Sequence, residues 1–297
     1  MRAIVVREGG GPEVLRLEQV PDPEPGEGQV LVRVEAAAVN HFDLTQRQDP
    51  AATGTSPPYT PGVDAAGTRV DTGDRVLVTG TSGTYAELVA VPLENVWRIP
   101  DSLDSARAAA LGVAYKTAWA SLADGDLQRG DTLLVQAGSS GTGQAAIDIG
   151  RHLGATVYAT ASESKLERLR ELGAEPLAYD DPRIEQLEAA VVYDPVGGSV
   201  FERSVTALGR GGRLVTPGAV ESPIVSLNLW LVIGKRARII GTGAMSVTSE
   251  EFERLIELAG KGELAPVIDR ELPLAEAAEA HRAIEAREVF GKIVLKP

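Results

Sequence analysis

The spacing of apolar residues changes near residue 110 and predicts two regions of different type. Before that point, short alternating apolar runs at 29–34 and 75–78 are separated by clusters of glycine and proline such as residues 21–26. Alternation with a period of two indicates half-buried strands, and the Gly/Pro clusters indicate irregular turns between them. We therefore expect a small, irregular β domain in this part of the chain.

After residue 110, the pattern becomes strand, turn, helix, strand. Continuous apolar runs predict buried parallel strands, and the segments between them have the spacing of helices. The predicted strands are 132–136, 156–160, 190–194, 212–216 and 237–241, and the predicted helices are 141–153, 162–172 and 200–208. The tail predicts helices at 249–259 and 274–286 and a strand at 292–295. This alternation indicates an α/β fold with a doubly wound parallel sheet.

The charge and composition of the 297 residues narrow the choice of partner and compartment. A net charge of −13 repels phosphate backbones and anionic lipid, so we expect neither nucleic acid nor a membrane surface as the main partner. No apolar run is long enough to span a bilayer, and Arg7 and Glu8 interrupt the N-terminal segment, so we expect a cytoplasmic protein. Cysteine is absent, which excludes disulfides and thiolate chemistry.

The first predicted strand of the second region leads into a loop of small residues that opens a predicted helix. Small residues let the backbone approach a pyrophosphate, and the N–H groups at the start of a helix attract anions. A turn of this composition can also be purely structural. We predict that it binds the phosphates of a dinucleotide through Ser139, Ser140, Gly141, Thr142 and Gly143.

The end of the second predicted strand bears on the choice between NAD(H) and NADP(H). NAD-selective sites usually carry an acidic residue there, which holds the ribose 2′-hydroxyl. Residues 160–162 contain no acid, whereas Ser162 can donate a hydrogen bond and Lys165 supplies a positive charge, so we expect NADPH. Glu163 weakens this interpretation, and Ser162 could instead cap the helix while Lys165 is solvated.

Six segments in this order resemble the medium-chain dehydrogenase/reductase superfamily, in its zinc-independent quinone oxidoreductase (zeta-crystallin-like) branch. They are 36–43 (AAAVNHFD), 61–67 (PGVDAAG), 83–87 (GTYAE), 111–119 (LGVAYKTAW), 194–198 (DPVGG) and 208–213 (LGRGGR). The resemblance implies a GroES-like domain at 1–111 and 246–297, a Rossmann domain at 112–245, and a homodimer or homotetramer. Ser140 departs from the family by replacing a common glycine, and the segment 67–74 is shorter than usual.

The resemblance also implies roles for individual residues. Asn40 would reach the nicotinamide ribose or the acceptor oxygen, with Asp43 and Thr117 in the same catalytic group, although Asn40 could also be a turn residue. Tyr59 and Tyr115 would line the acceptor cleft. The remaining cofactor contacts are expected from Tyr179, Pro195, Gly218, Thr242, Gly243 and Arg287. For Arg287, an exposed position at a helix end is nearly as good an interpretation.

The histidines and the absence of cysteine argue against a zinc site. Asn40 and Val63 stand where zinc-dependent relatives have a cysteine and a histidine, and a catalytic zinc needs three protein ligands. His41 alone does not make a site, and we expect His152 and His281 on solvated helix faces. We therefore predict no metal.

These observations predict an enzyme that transfers a hydride from NADPH to a quinone or conjugated carbonyl compound. Without a Lewis acid, alcohol oxidation lacks its usual alkoxide stabiliser, whereas an electrophilic quinone needs less help. An alkenal, enone or enoyl-thioester reductase is the alternative within the same class. An NADPH-binding sensor or RNA-associated protein with little catalysis is the alternative from another class.

Overall fold

The computed structural model describes residues 1–297 except the side chain of Met245. The chain divides into two compact units. Unit 1 consists of Met1–Ala114 and Glu253–Pro297, and unit 2 consists of Tyr115–Phe252. The boundaries predicted from the resemblance, at 111/112 and 245/246, lie a few residues N-terminal to these.

The elements follow one another as strands with short helices, then as alternating strands and helices. In chain order, the strands are β1 (Arg2–Val5), β2 (Arg16–Gln19), β3 (Gln29–Ala38), β4 (Asp64–Arg69), β5 (Arg75–Thr79), β6 (Leu88–Pro92), β7 (Val96–Arg98), β8 (Thr132–Val135), β9 (Thr156–Ala161), β10 (Glu175–Ala178), β11 (Ala189–Tyr193), β12 (Leu208–Thr216), β13 (Arg238–Gly241), β14 (Ile268–Pro273) and β15 (Lys292–Lys296). The α-helices are α1 (His41–Gln48), α2 (Ser105–Asp124), α3 (Gly141–His152), α4 (Leu166–Glu171), α5 (Phe201–Ala207), α6 (Leu229–Lys235), α7 (Ser249–Gly260) and α8 (Ala277–Glu285).

Unit 1 is the GroES-like β domain, built on a mixed sheet in the order β14-β15-β3-β4-β5-β7, with β6 also paired to β3. The predicted alternation is present in β3, where Val30, Val32 and Val34 are buried while Arg33 and Glu35 face solvent. Residues from β3, β5, β15 and α8 share one apolar core. The tail strand β15 runs antiparallel to β3, so residues near the end of the chain complete the sheet begun by residue 29.

Unit 2 is a Rossmann domain. Its six-stranded sheet has the order β10-β9-β8-β11-β12-β13, and every pairing within it is parallel. The chain moves outward from β8 to β10 and then returns to place β11 on the other side of β8. This reversal leaves a crevice beyond the carboxyl ends of β8 and β11, which is where ligands bind in open α/β sheets.

Most predicted elements of unit 2 lie within a residue or two of the observed ones, and two differ more. The helix predicted at 162–172 is a 3-10 turn (Glu163–Lys165) followed by α4. The strand predicted at 212–216 already begins at Leu208, because Leu208 pairs with Ala189 of β11. No helix in the described part of the chain is both long and apolar enough to cross a membrane.

Candidate functional site

The five residues predicted to bind phosphate lie in the loop between β8 and α3 and in the first turn of α3, a segment that we call the phosphate loop (residues 136–143). Ser140 caps α3, because its Oγ accepts a hydrogen bond from the Gly143 N–H at 3.0 Å. Gly143 leaves no room for a side chain, since a Cβ there would lie 2.3 Å from the carbonyl oxygen of Ala137. The first N–H groups of a helix have no partner within it, so the loop can present donors to an anionic phosphate.

Four buried polar side chains, which we call the Gln136 chain, link this loop to three neighbouring strands. Thr160 Oγ1 donates to Gln136 Oε1 at 2.6 Å and accepts from the Ala137 N–H at 3.1 Å. Gln136 Nε2 donates to Ser204 Oγ at 3.0 Å, and Ser204 Oγ donates to Asp194 Oδ2 at 2.7 Å. The Gln136 chain therefore connects the Ala137 N–H of the phosphate loop to the ends of β9 and β11.

One charged group ends the Gln136 chain. Burial raises the pKa of Asp194, although hydrogen bonds from Ser204 and from the N–H groups of Val196 and Gly197 act in the opposite direction. The Asp194 carboxylate holds the turn at Val196 and Gly197, and Pro195, a predicted cofactor contact, is the residue between Asp194 and that turn. The carboxylate thus fixes the turn after β11 at the carboxyl edge of the sheet.

A cavity of about 780 Å³ opens at the ends of β12 and β13. It collects three of the predicted cofactor contacts, and its lining includes Thr216, Gly218, Thr242, Gly243 and Phe201. A Cβ on Gly243 would meet nothing within 4 Å, so the backbone there is open to a ligand. Thr242 Oγ1 is buried, and it has no hydrogen-bond partner among the described residues. A buried hydroxyl without a partner is unused hydrogen-bonding capacity in a residue that lines the cavity.

The residues predicted to contact a 2′-phosphate lie at the ends of the next two strands of unit 2. Ser162 follows β9 and is exposed, and its side chain makes no capping hydrogen bond. Lys165 ends the 3-10 turn and is half-buried, and Tyr179 follows β10 with 39% of its surface exposed. Since β9 and β10 are neighbours in the sheet, their carboxyl ends share one edge.

Two further predicted residues lie in the part of α2 that belongs to unit 2. Thr117 is 8% exposed, and its carbonyl oxygen accepts a hydrogen bond from Ser121. The Tyr115 hydroxyl donates to Asp148 of α3 at 2.7 Å, and the ring is buried. The Tyr115 side chain therefore joins α2 to α3, and its assignment to an acceptor cleft stays a prediction.

In unit 1, Asn40 and Asp43 belong to a buried polar cluster, which we call the Asn40 cluster and which consists of Asn40, Asp43, Asp64, Tyr85 and Lys292. Asp43 Oδ2 accepts from the Asn40 N–H and from the Tyr85 hydroxyl, both at 2.8 Å. The Asn40 side chain donates through Nδ2 to Asp64 Oδ2 at 2.8 Å and accepts at Oδ1 from Lys292 Nζ at 2.7 Å. Every member of the cluster is less than a tenth exposed.

The charges of the Asn40 cluster depend on one another. Burial raises the pKa of Asp43 to about 7 and also raises that of Asp64. Burial lowers the pKa of Lys292, while the two carboxylates oppose that change. Asp64 and Lys292 thus favour each other's charged form, in a region whose burial disfavours each charge.

A kink in α2 makes room for the Asp64 carboxylate. The backbone at Gly112 leaves the helical region (φ −28°, ψ −116°), and a Cβ there would lie 2.2 Å from Asp64 Oδ1. The kink turns the Val113 N–H towards Asp64 Oδ2, which accepts it at 3.0 Å. Thr79 Oγ1 completes the shell by donating to Asp64 Oδ1 at 2.6 Å.

The remaining predicted residues of unit 1 lie apart from that cluster or border it. Tyr59 is half-buried and donates its hydroxyl to the Gln46 carbonyl at 3.0 Å. Arg287 is exposed just beyond α8, as its alternative interpretation expected. The prediction for His281 was wrong: it is fully buried, because α8 packs over the core and turns His281 Nε2 to 3.4 Å from the Tyr85 hydroxyl. His152 is half-exposed.

Sequence reasoning missed several residues that hold these sites. Lys292 and Tyr85 were recognised only as parts of a strand and a motif, and Gln136, Thr160 and Ser204 were not singled out. A usable signal existed for part of the Gln136 chain, because Gln136 and Asp194 each follow a buried strand directly.

Two family models match the chain. The model described as "Alcohol dehydrogenase GroES-like domain" matches residues 26–101, and the model described as "Zinc-binding dehydrogenase" matches residues 172–295. A quinone oxidoreductase from Lama guanicoe is 34% identical over 99% of this chain and 97% of its own length.

Solved structures give the same similarity over the whole chain. A structure described as an NAD-dependent alcohol dehydrogenase has a TM-score of 0.91 and 32% identity, with complete coverage of both chains. A mycobacterial protein solved in complex with NADPH has a TM-score of 0.91 and 30% identity, again with complete coverage of both.

Proposed function

The chain belongs to the medium-chain dehydrogenase/reductase superfamily, in its quinone oxidoreductase branch, and on that basis we propose that it is an NADPH-dependent quinone oxidoreductase that works without a metal. That it is an oxidoreductase using a nicotinamide cofactor follows from the family. The quinone assignment rests mainly on one observation: Asn40 is a buried polar residue bonded to Asp64 and Lys292, and the resemblance places it where zinc-dependent relatives carry a cysteine ligand.

The described residues of unit 2 suit a nicotinamide dinucleotide. The phosphate loop offers backbone donors beside a glycine that tolerates no side chain. The cavity at β12 and β13 is lined in part by Thr242, whose buried hydroxyl has no hydrogen-bond partner among the described residues. We propose that the loop holds the pyrophosphate, while Thr242 and Gly243 hold the carboxamide end. When bound, the cofactor supplies the hydride, and the protein supplies position and electrostatic stabilisation.

The preference for NADPH over NADH is proposed from the end of β9. Ser162 and Lys165 stand where an NAD-selective site would carry an acid, and the Ser162 side chain is not used in capping. A hydroxyl donor together with an ammonium suits the charge of a 2′-phosphate. Glu163 lies next to Ser162 and limits the expected selectivity.

We propose a metal-free reaction because the side chains at positions 40 and 63 are not zinc ligands. Val63 is a buried apolar residue, and Asn40 uses both ends of its carboxamide within the Asn40 cluster. Neither supplies an imidazole or thiolate ligand, and the chain contains no cysteine. A quinone suits such a site, because it already accepts a hydride readily and needs only donors for the developing oxyanion. We propose that Asn40 supplies that donor, through the Nδ2 hydrogen held only weakly by the Ala38 carbonyl at 3.3 Å.

The central experiment is steady-state oxidation of NADPH and NADH with 1,4-benzoquinone or 9,10-phenanthrenequinone, beside an enone and an alcohol. We expect NADPH-dependent turnover of the quinone, with little from the enone or alcohol and no change after metal chelation. Preferred turnover of the enone would instead identify the alternative within the same class. Tight NADPH binding without turnover of any acceptor would indicate a sensor.

The cofactor preference is tested by the Lys165→Ala variant. Loss of a charge-assisted contact of about 1.5–3 kcal/mol should weaken NADPH binding about tenfold or more. NADH binding, which lacks the 2′-phosphate, should change less than about twofold. Lys261→Ala, an exposed change just beyond the end of α7, is the control. Equal losses for both cofactors would contradict a role at the 2′-phosphate.

We also propose that the protein forms a homo-oligomer through the surface made by α6 and β13. The described residues of α6 include none that is buried, and Trp230 is 76% exposed while Leu229 is 67% exposed. β13 is an edge strand of the sheet, and its Ile239 is 43% exposed. A second copy suits this surface, because an unpaired edge strand can pair with its own symmetry mate across a two-fold axis.

Light scattering after size exclusion tests this assembly. Trp230→Glu should shift the protein from oligomer to monomer, while Val70→Glu, an equally polar change on an exposed valine of unit 1, should not. A monomeric wild-type protein would contradict the proposal.

A further inference from the structure

The strand register of unit 1 brings a buried lysine to Asn40. β15 pairs with β3 so that Val294 lies opposite Ala38, and the Ile293 carbonyl accepts the Val39 N–H at 3.0 Å. Continuing this register places Lys292 opposite Asn40, at the point where β3 ends and α1 begins. There Nζ donates to the Val39 carbonyl at 2.6 Å and to Asn40 Oδ1 at 2.7 Å.

The charges on either side of the Asn40 carboxamide fix its orientation. Its oxygen faces the Lys292 ammonium, and its nitrogen faces the Asp64 carboxylate. Turned by 180°, the carboxamide would place its N–H groups against an ammonium, which has only donors, and its oxygen against a carboxylate, which has only acceptors. Lys292 and Asp64 therefore select one of two orientations that have the same shape.

Lys292 also favours the ionised form of Asp64. The carboxylate has a full set of neutral donors in Thr79, Val113 and Asn40, but within the cluster Lys292 is the group whose positive charge opposes its protonation. Asp43 and Asp64 are both buried carboxylates and repel each other. Loss of the ammonium would therefore favour a proton on Asp64, and a protonated carboxyl group no longer selects the nitrogen end of Asn40.

We propose that Lys292 is a positioning residue of the active site, which acts by holding the Asn40 carboxamide with its Nδ2 hydrogens available on one fixed side. The expected effect of Lys292 on turnover rests on the proposed function, whereas its effect on the orientation of the Asn40 carboxamide does not. Lys292 itself contacts neither acceptor nor cofactor in this scheme.

The test uses Lys292→Met, which keeps the length of the side chain and removes its charge, together with Lys292→Arg, which keeps the charge. Lys296→Met is the matched control on the same strand, where the lysine is 43% exposed and pairs with Glu271. Labelling with ¹⁵N-asparagine gives side-chain amide signals from Asn40, Asn95 and Asn228, the asparagines of the sequence. Asn95 and Asn228 serve as internal references.

We expect Lys292→Met to shift the Asn40 amide signals and speed their exchange with water, while the two references stay in place. Its kcat with a quinone should fall about 10- to 100-fold, with the KM for NADPH changed less than about threefold. Lys292→Arg should retain the Asn40 signals and most of kcat, and Lys296→Met should match wild type.

Unmoved Asn40 signals in Lys292→Met would overturn the proposal, and so would moved signals with an unchanged kcat. If Lys292→Met does not fold, Lys292→Gln removes the charge with a polar side chain, and unmoved Asn40 signals with full kcat would again overturn the proposal. If wild type turns over no acceptor, the proposed function fails, and the amide signals alone decide the role of Lys292.

Discussion

The phosphate loop and the Asn40 cluster are both held by buried polar groups, yet by different kinds of interaction. Under the loop, the Gln136 chain passes from one neutral side chain to the next and contains a single carboxylate, which is bonded to backbone N–H groups. In the Asn40 cluster, two carboxylates and an ammonium surround one neutral carboxamide.

Because of this difference, the structures of the two regions depend on different conditions. A neutral network keeps its hydrogen bonds over a wide pH range, so the shape of the loop depends on backbone space and on each bond being made. The stability of a charged cluster depends on the balance of its positive and negative charges, because removing one partner leaves a buried charge that must be neutralised. The two regions should therefore respond differently to steric change, pH and loss of a single bond.

The largest effect should come from filling the space at Gly143. In Gly143→Val, the new Cβ would overlap the Ala137 carbonyl and displace the loop. We expect NADPH affinity to fall about 1000-fold or more, which is about 4 kcal/mol. Fluorescence titration with NADPH measures it, and Gly26→Ala, where a Cβ would come no closer than 3.4 Å to another residue, should bind as wild type does. A change below about tenfold would refute the importance of backbone space in this loop.

The next effect should appear as a pH dependence in the charged cluster. The pKa of Asp43 rises on folding from 3.8 to about 7, so its contribution to stability is present below pH 3.8 and is lost as the pH rises towards 7. Asp43→Asn removes this loss. Relative to wild type, the variant should gain about 2–4 kcal/mol of unfolding free energy between about pH 5 and about pH 8. Urea unfolding at several pH values measures the difference.

His281 should act in the opposite direction. Burial, with help from the charge of Arg47, lowers the pKa of His281 from 6.5 to about 3, so its contribution is lost as the pH falls below 6.5. His281→Gln should therefore gain stability relative to wild type on acidification. Asp101→Asn, at a fully exposed carboxylate, is the control for both variants, and its unfolding free energy should follow the wild-type pH dependence.

The Asp43 prediction has its own contradicting outcome. If the unfolding free energies of Asp43→Asn and wild type change in parallel with pH, Asp43 is not the titrating group.

The smallest effect should come from one bond of the neutral chain. Ser204→Ala leaves Gln136 Nε2 and Asp194 Oδ2 without this partner, at a cost of about 1–3 kcal/mol in unfolding free energy. NADPH affinity should change only a few-fold, because the loop is still held by the Gly138 N–H bond to Thr160. Ser199→Ala, at an exposed serine near the same helix, should be neutral. An unchanged unfolding free energy in Ser204→Ala would contradict the contribution of this bond.

The same difference decides how much of each region could be predicted from the sequence. The phosphate loop and its flanking strand and helix were predictable, because small residues after an apolar run are a local signal. Ser204 was not, because its role depends on which face of α5 packs against β11. The elements α6, β10 and β14 were also missed, since α6 is an exposed apolar segment and the two strands lack a clear apolar period.

In unit 1, prediction depended on resemblance rather than on pattern. Asn40 and Asp43 were found through their motif, but Lys292 is 252 residues away from Asn40 in the sequence. Its role follows from the β3–β15 register, which no local pattern encodes. His281 was placed in solvent because histidine on an amphipathic helix usually lies there, and the packing of α8 over Tyr85 overrides that tendency.

The pairing of β3 with β15 also has a consequence for synthesis of the chain. Lys292, at the start of β15, is translated 254 residues after Ala38 at the end of β3. At about 5–20 residues per second, a ribosome needs roughly 10–50 s to make that stretch. Throughout this time the edge of β3 that β15 will cover is without its partner, while all of unit 2 is synthesised. Unit 2 can therefore be folded on the ribosome before the sheet that contains Asn40 is closed.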